Sequence, residues 1–157
     1  MGKRSTRLSY LIHLLATIQI VREIGARSGQ DLSRHLSSAA LAASMHTNPA
    51  YIRKLMQIAV NGGLLVSEKG KVNPALALNP TDISLLRIFR IAESNARILD
   101  QDIHINPECN LARELQFAIG DAYGKISRSA QEEMERISLQ DIIDGYYARA
   151  GTDRLPD

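Results

Sequence analysis

Residues 48–57, NPAYIRKLMQ, set an amide, an aromatic, two adjacent cations and a second amide within ten positions. Arg53 can donate two parallel hydrogen bonds to a guanine edge, or hold a phosphate. Lys54 and Tyr51 suit phosphate oxygens, and Ala50 and Gln57 fall outside with them. This is chemistry for reading a duplex, and it needs those side chains on the first turns of a helix with a firm start. Asn48 is a good N-cap and Pro49 suits the first helical position. Free N–H groups at such a start can also meet a phosphate. Ile52, Leu55, Met56 and Ala59 take the inward face, and Asn61-Gly62-Gly63 ends the segment.

A reading helix must be braced, and the flanking sequence supplies the braces. Leu8, Leu11, Ile12, Leu15 and Ile18 predict a helix over 8–24, stopped by Gly25. Residues 25–37 read as a loop or a poorly formed turn. Ser38 is expected to cap a short helix over 39–44, with Leu41 and Met45 inward, before His46 and Thr47 turn the chain. Beyond the reading helix, LLVSEKGKVNPALAL reads as two short strands, 64–68 and 72–77, around Lys69-Gly70-Lys71. Pro74 confines the second strand to an edge or cuts it short. Helix, helix, turn, helix and hairpin is the order of a winged helix-turn-helix. Lys69 and Lys71 at the hairpin tip fit a wing laid along the backbone. Arg4, Ser5 and Arg7 precede the first helix and can grip phosphate there, and Ser38 joins the same candidate DNA-binding set.

Asn79-Pro80 opens a second part, so the chain divides into 1–80 and 81–157. Ser84 caps a linker helix through Glu93, residues 95–107 form a sensor-like loop, and a long helix runs over 108–136. Ser138 caps a last short helix, 139–147, and the tail after Gly151 is expected to carry no fixed structure. The fold class is therefore mainly α with a small two-stranded wing, extended by a long C-terminal dimerisation helix. Along that helix Leu111, Leu115, Ile119, Ala122, Ile126, Ala130 and Met134 repeat at steps of four, four, three, four, four and four. This rhythm is nearer eleven residues than seven, which predicts a nearly straight or slightly right-handed pairing. About 28 residues span roughly 42 Å, too long for one small domain to cover. Gly120 and Gly124 inside it imply close approach of a neighbouring helix, or a local bend. A chain cut near residue 95 is expected to stay folded as a monomer that binds DNA weakly.

Charge sorts with these halves. Residues 1–80 hold ten Lys and Arg against three acids, a balance of +7, while residues 81–157 hold nine against fourteen, a balance of −5. Only the first half suits a polyanion. The four histidines are scattered, with no zinc-ligand spacing, phosphate loop, nucleophile elbow or paired carboxylates, so no enzyme activity and no cofactor are expected. His13, inside an apolar helix, reads as a core or boundary histidine. No apolar run approaches membrane-spanning length and no signal peptide is evident, so a cytoplasmic protein without a membrane partner is expected. The rival function is a winged domain that docks another protein without reading DNA.

The run SSAALAASMHTNPAYIRKLMQIAVNGGLLVSEKG resembles the bacterial Rrf-type transcriptional regulators, the group with the IscR, NsrR and CymR repressors. The likeness extends to NPTDISLLRIFRIAES, NPECNLARELQ and the closing ISLQDII, and so spans nearly the whole chain. It implies a homodimer on a palindromic operator, acting as a repressor, with two winged domains paired by the long helix. It places Asn48, Ala50, Tyr51, Arg53 and Lys54 on the recognition helix and Lys69 near the wing arginine. The wing here is shorter than the family's usual glycine-rich tip and lacks its aromatic.

Iron–sulfur members of that group use three closely spaced cysteines, whereas this chain has only Cys109. A cluster here would need His104 and a carboxylate to complete it. Two readings of Cys109 stand. Near Asn106-Pro107 at a helix start, its thiolate is favoured by the helix dipole and opposed by Glu108, giving a redox sensor. Alternatively it is an unreactive small residue packed at that start. A small-molecule effector in the 95–107 loop is a third source of signal.

Overall fold

A computed structural model describes residues 6–68, 70–94 and 97–151. Among them six α-helices and one two-stranded antiparallel sheet follow in the order α1 (Arg7–Ser28), α2 (Ser38–Ser44), α3 (Pro49–Asn61), β1 (Leu65–Val66), β2 (Ala75–Leu76), α4 (Leu85–Ala92), α5 (Asn110–Arg136) and α6 (Leu139–Ala150). This is the expected mainly helical architecture with a small wing.

The core forms around α1. Leu11, Leu14, Leu15 and Ile18 are fully buried there, and Leu41 of α2, with Ile52 and Leu55 of α3, closes over them. The same cluster takes Ile83 and Ile88 from around α4, and Leu139 and Ile143 from α6. Two backbone hydrogen bonds bring these distant segments together: Leu85 N–H donates to Ile137 O, and Leu139 N–H to Ile83 O, each at 2.8 Å. A chain ending near residue 95 would thus lose two wholly buried side chains, which weighs against the expectation of a folded fragment. His13 is exposed on the outer side of α1, not in the core.

Several boundaries move, each for a local reason. Gly25 does not stop α1, which runs one turn further to Gly29 in the left-handed region at φ 68°. Gly25 instead allows a close approach, since a Cβ there would lie 3.1 Å from the carbonyl oxygen of Gln30. Part of the expected 25–37 loop is a 3-10 turn, Ser33–Leu36, that buries Leu36. Ser37, not Ser38, caps α2: its hydroxyl accepts from Ala40 N–H at 3.1 Å. The strands are two residues each, paired Leu65 with Leu76 and Val66 with Ala75, and shorter than the apolar runs predicted. Arg22 holds the segment just before β2, donating to Asn73 Oδ1 at 2.5 Å and to Pro74 O at 3.4 Å.

The long helix starts at Asn110 rather than 108. Asn106 spends its side chain on a turn, accepting from Glu108 N–H at 3.0 Å, and Cys109 N–H donates to Asn106 O at 3.2 Å. None of the residues of α5 is buried. The face around Gln116 and Gly120 is covered by the preceding loop: Gln101 donates to Gln116 O at 2.8 Å, and a Cβ on Gly120 would meet Gln101 Oε1 at 3.1 Å. In this chain, then, Gly120 accommodates a glutamine side chain. Ser138 caps α6 as its sequence predicts, here in a capping box with Asp141, and α6 continues past 147 to Ala150.

Candidate nucleic-acid interface

The recognition segment forms because its start is fixed twice. Asn48 is extended, and its Oδ1 accepts from Tyr51 N–H at 2.9 Å, while Pro49 occupies the first helical position. An N-cap of this kind is worth about 1 kcal/mol over Ala. The tight turn from α2 is bought with a left-handed His46, at φ 52°, a conformation that costs a non-glycine residue about 1 kcal/mol. With Ile52, Leu55 and Ala59 buried, Ala50, Arg53, Lys54 and Gln57 are left exposed.

Between α3 and the hairpin lies a groove of about 520 Å³. Its walls bring together Ser38, Arg53, Gln57 and Lys71, four candidates that the sequence spreads over 34 positions. Gly70 forms the bend of the tip at φ 81°. Lys71 Nζ pairs with Glu68 at 2.6 Å, with both side chains largely exposed. Such a pair contributes at most about 1 kcal/mol, so a phosphate can compete for the ammonium. Lys54 projects outside the groove walls.

Two candidates have structural duties. Tyr51 is half-buried, its ring edge-on to Tyr10 at 5.4 Å between centroids and 88° between planes, so it braces α3 on α1. Arg7 donates to the carbonyl of Ala92 at 3.1 Å, holding the start of α1 to the end of α4. Arg4, Ser5 and Lys69 lie outside the described residues. Sequence reasoning missed Ser37, which caps α2 and lines the same groove, and Arg22, which positions the wing. The short Ser-Ser pair at 37–38 carried the first signal, while nothing local marks the second.

Cys109 is half-exposed at the N-cap of α5 and makes no capping bond with its side chain. Leu111, Leu115, Ile119, Ala122 and Ile126 form an exposed apolar stripe, with Leu111 at 71% and Leu115 at 52% exposure. Ala130 and Met134 continue it half-buried. Among the described residues, no group of three His, Cys, Asp or Glu side chains is placed to hold a metal ion, and no helix is long and apolar enough to cross a membrane.

The chain resembles proteins named as regulators, and its fold resembles a solved structure. The chain is 25% identical over 139 residues to YwnA of Bacillus subtilis, named as an HTH-type transcriptional regulator, covering 88% of this chain and 96% of that one. It is 30% identical over 118 residues to YffB of Lactococcus lactis, named likewise, covering 71% and 74%. A crystal structure described as that of a DNA-binding protein superposes with a TM-score of 0.64 at 26% identity, over 87% of this chain and 98% of that one. These likenesses favour a DNA-binding regulator over a winged protein-docking module. Residues 4–145 match the Rrf2 family, described as iron-dependent transcriptional regulators. The chain belongs to the Rrf2 family, and is a DNA-binding transcriptional regulator with a winged helix-turn-helix fold.

Proposed function

We propose that the protein works as a homodimer paired along α5, setting two reading heads on the halves of a palindromic operator and repressing there. The observation that supports this reading is α5 itself: 27 residues, none buried, with a continuous exposed apolar stripe. A helix of that length extends about 40 Å, and leaving such a stripe in water forgoes roughly 25 cal/mol per Å² of apolar area. A second copy of the same stripe covers it symmetrically, an isologous contact. Pairing also supplies affinity, because the second head binds at the high effective concentration set by the first.

Within each head, Arg53 and Gln57 are the base-reading side chains, with Lys54, Ser38 and Lys71 on phosphates. Asn48 serves by fixing the helix start. Selecting genomic fragments bound by the purified protein tests the whole reading: the recovered sites should share an inverted repeat with half-sites about one helical turn apart. Single, unpaired half-sites in the recovered fragments would refute the paired arrangement. The same selection with and without oxidant asks whether oxidation changes operator binding.

A further inference from the structure

Past the C-terminal end of α3, α4 and the end of α5 line a cleft of about 620 Å³. Its polar lining includes Arg87, Arg90 and Arg136, together with Ser84, Ser138, Asp82 and Glu135. Arg87 and Arg90 stand three residues apart and therefore share one face of α4, both exposed. The acids nearby are partly committed: Glu135 Oε2 accepts from Ser84 Oγ at 2.9 Å, and Glu133 pairs with Arg136 at 3.2 Å. Neither the Arg87 nor the Arg90 guanidinium has a hydrogen-bond or ion-pair partner among the described residues.

We infer that this cleft, between the two unpartnered arginines of α4 and Arg136 of α5, binds a compact polyanion: a small polyphosphate or polycarboxylate. Arginine forks match phosphate and carboxylate groups through paired N–H donors, and two forks on one face suit a ligand carrying at least two such groups. Asp82 and Glu135 in the same lining oppose an extended anionic chain, so the ligand is expected to be small enough to sit against the three guanidinium groups. The cleft lies beyond the C-terminal end of α3, away from the Asn48 cap. Arg87 Nη2 would lie 3.7 Å from a Cβ on Gly63, just past the last residue of α3. The thirteen residues of α3 place it about 20 Å from the Asn48 end.

Position gives the site its consequence. Behind the cleft run the two backbone bonds that join residues 83–85 to 137–139. A ligand held by Arg87 and Arg90 on one side and Arg136 on the other would clasp the reading head to the long helix and fix their angle. That consequence rests on the dimer reading above, whereas binding itself does not, so binding is measured on the free protein without DNA.

Calorimetric titration of the full chain with pyrophosphate, and separately with citrate, at constant ionic strength tests the inference. Saturable binding of one anion per chain is expected for at least one probe, and which probe binds identifies phosphate or carboxylate chemistry. Arg87→Gln with Arg90→Gln should weaken it at least tenfold. Arg53→Gln with Lys54→Gln on the reading face should leave it within about threefold. The Arg87→Lys, Arg90→Lys pair keeps charge but loses the forks, and should still weaken binding severalfold if the glutamine pair fails to fold. Heat that never saturates with either probe would overturn the assignment. Loss of binding with the reading-face pair alone, or a changed molar mass in the Arg87 and Arg90 variants, would overturn it too.

Discussion

The phenol of Tyr147 donates to Glu23 Oε2 at 2.7 Å, joining α6 to α1 across 124 positions of sequence. Arg27 completes the contact, donating to the same phenol oxygen at 3.1 Å with its guanidinium 5.0 Å from the ring centroid. The last helix is thereby part of the reading head. Burial first, and then the hydrogen bond to Glu23, raise the Tyr147 pKa above 10.0, against the opposing influence of Arg27. A raised folded-state pKa means the unfolded chain loses its proton first. The stabilisation is therefore whole below pH 10.0 and is lost as pH climbs through the folded value. Chemical denaturation of Tyr147→Phe should show lower stability than wild type from neutral pH up to 10.0, with the gap narrowing only as pH rises past 10.0. A gap that widens there would contradict the contact.

Leu139 and Ile143 fill the core from the C-terminal side, both with no exposed surface. Leu139→Ala should cost about 2–5 kcal/mol in urea denaturation, the range of leucine truncations in packed cores. A fragment ending near residue 95 should show far-ultraviolet circular dichroism of an incompletely folded chain. Dimer tests therefore call for point substitutions in the full chain rather than truncation.

The two cations of α3 should separate in their effects. Arg53→Ala is expected to cost about 1–3 kcal/mol and relax preference at one base pair, as loss of a base contact does. Lys54→Ala should weaken binding to all sequences alike and lower the salt slope by about 0.9 log units, the mark of one lost phosphate contact. Operator titrations over a range of salt concentrations distinguish them, and identical slopes for both variants would remove the distinction.

How much of this was legible follows from which forces are local. Asn48-Pro49 carries its own cap and dihedral preference, so α3 is placed to within a residue, and Ser84 and Ser138 mark the starts of α4 and α6 equally well. Where two residues of one type stand side by side, as Ser37 and Ser38 do, local sequence does not choose between them; Ser37 became the cap, with Leu41 and Ala42 buried in the helix it starts. Asn106 and Pro107 looked like a helix start because they do start a turn, but the helix waits until Asn110. Gly25 and Gly120 were read by rules for helix ends and helix pairs, while their partners, Gln30 and Gln101, come from loops that no periodicity reports. The Ser38, Arg53, Gln57 and Lys71 groove was legible as a set of outward residues. The diversion of Tyr51 to Tyr10 and of Arg7 to Ala92 was not, since both depend on tertiary contacts.

Cys109 is testable by removal. If its thiol transmits oxidation to the reading heads, peroxide should lower operator affinity in wild type and leave Cys109→Ser unmoved in electrophoretic shift titrations. Equal responses from both proteins would assign the residue to packing at the start of α5.

Pairing along α5 is the claim on which the rest stands. Sedimentation equilibrium of the full chain at micromolar concentration measures it directly. The expected mass is twice the 17.3 kDa of one chain, falling to 17.3 kDa when Leu115→Glu and Ile126→Glu place charges in the stripe. A wild-type mass of 17.3 kDa under those conditions would contradict it.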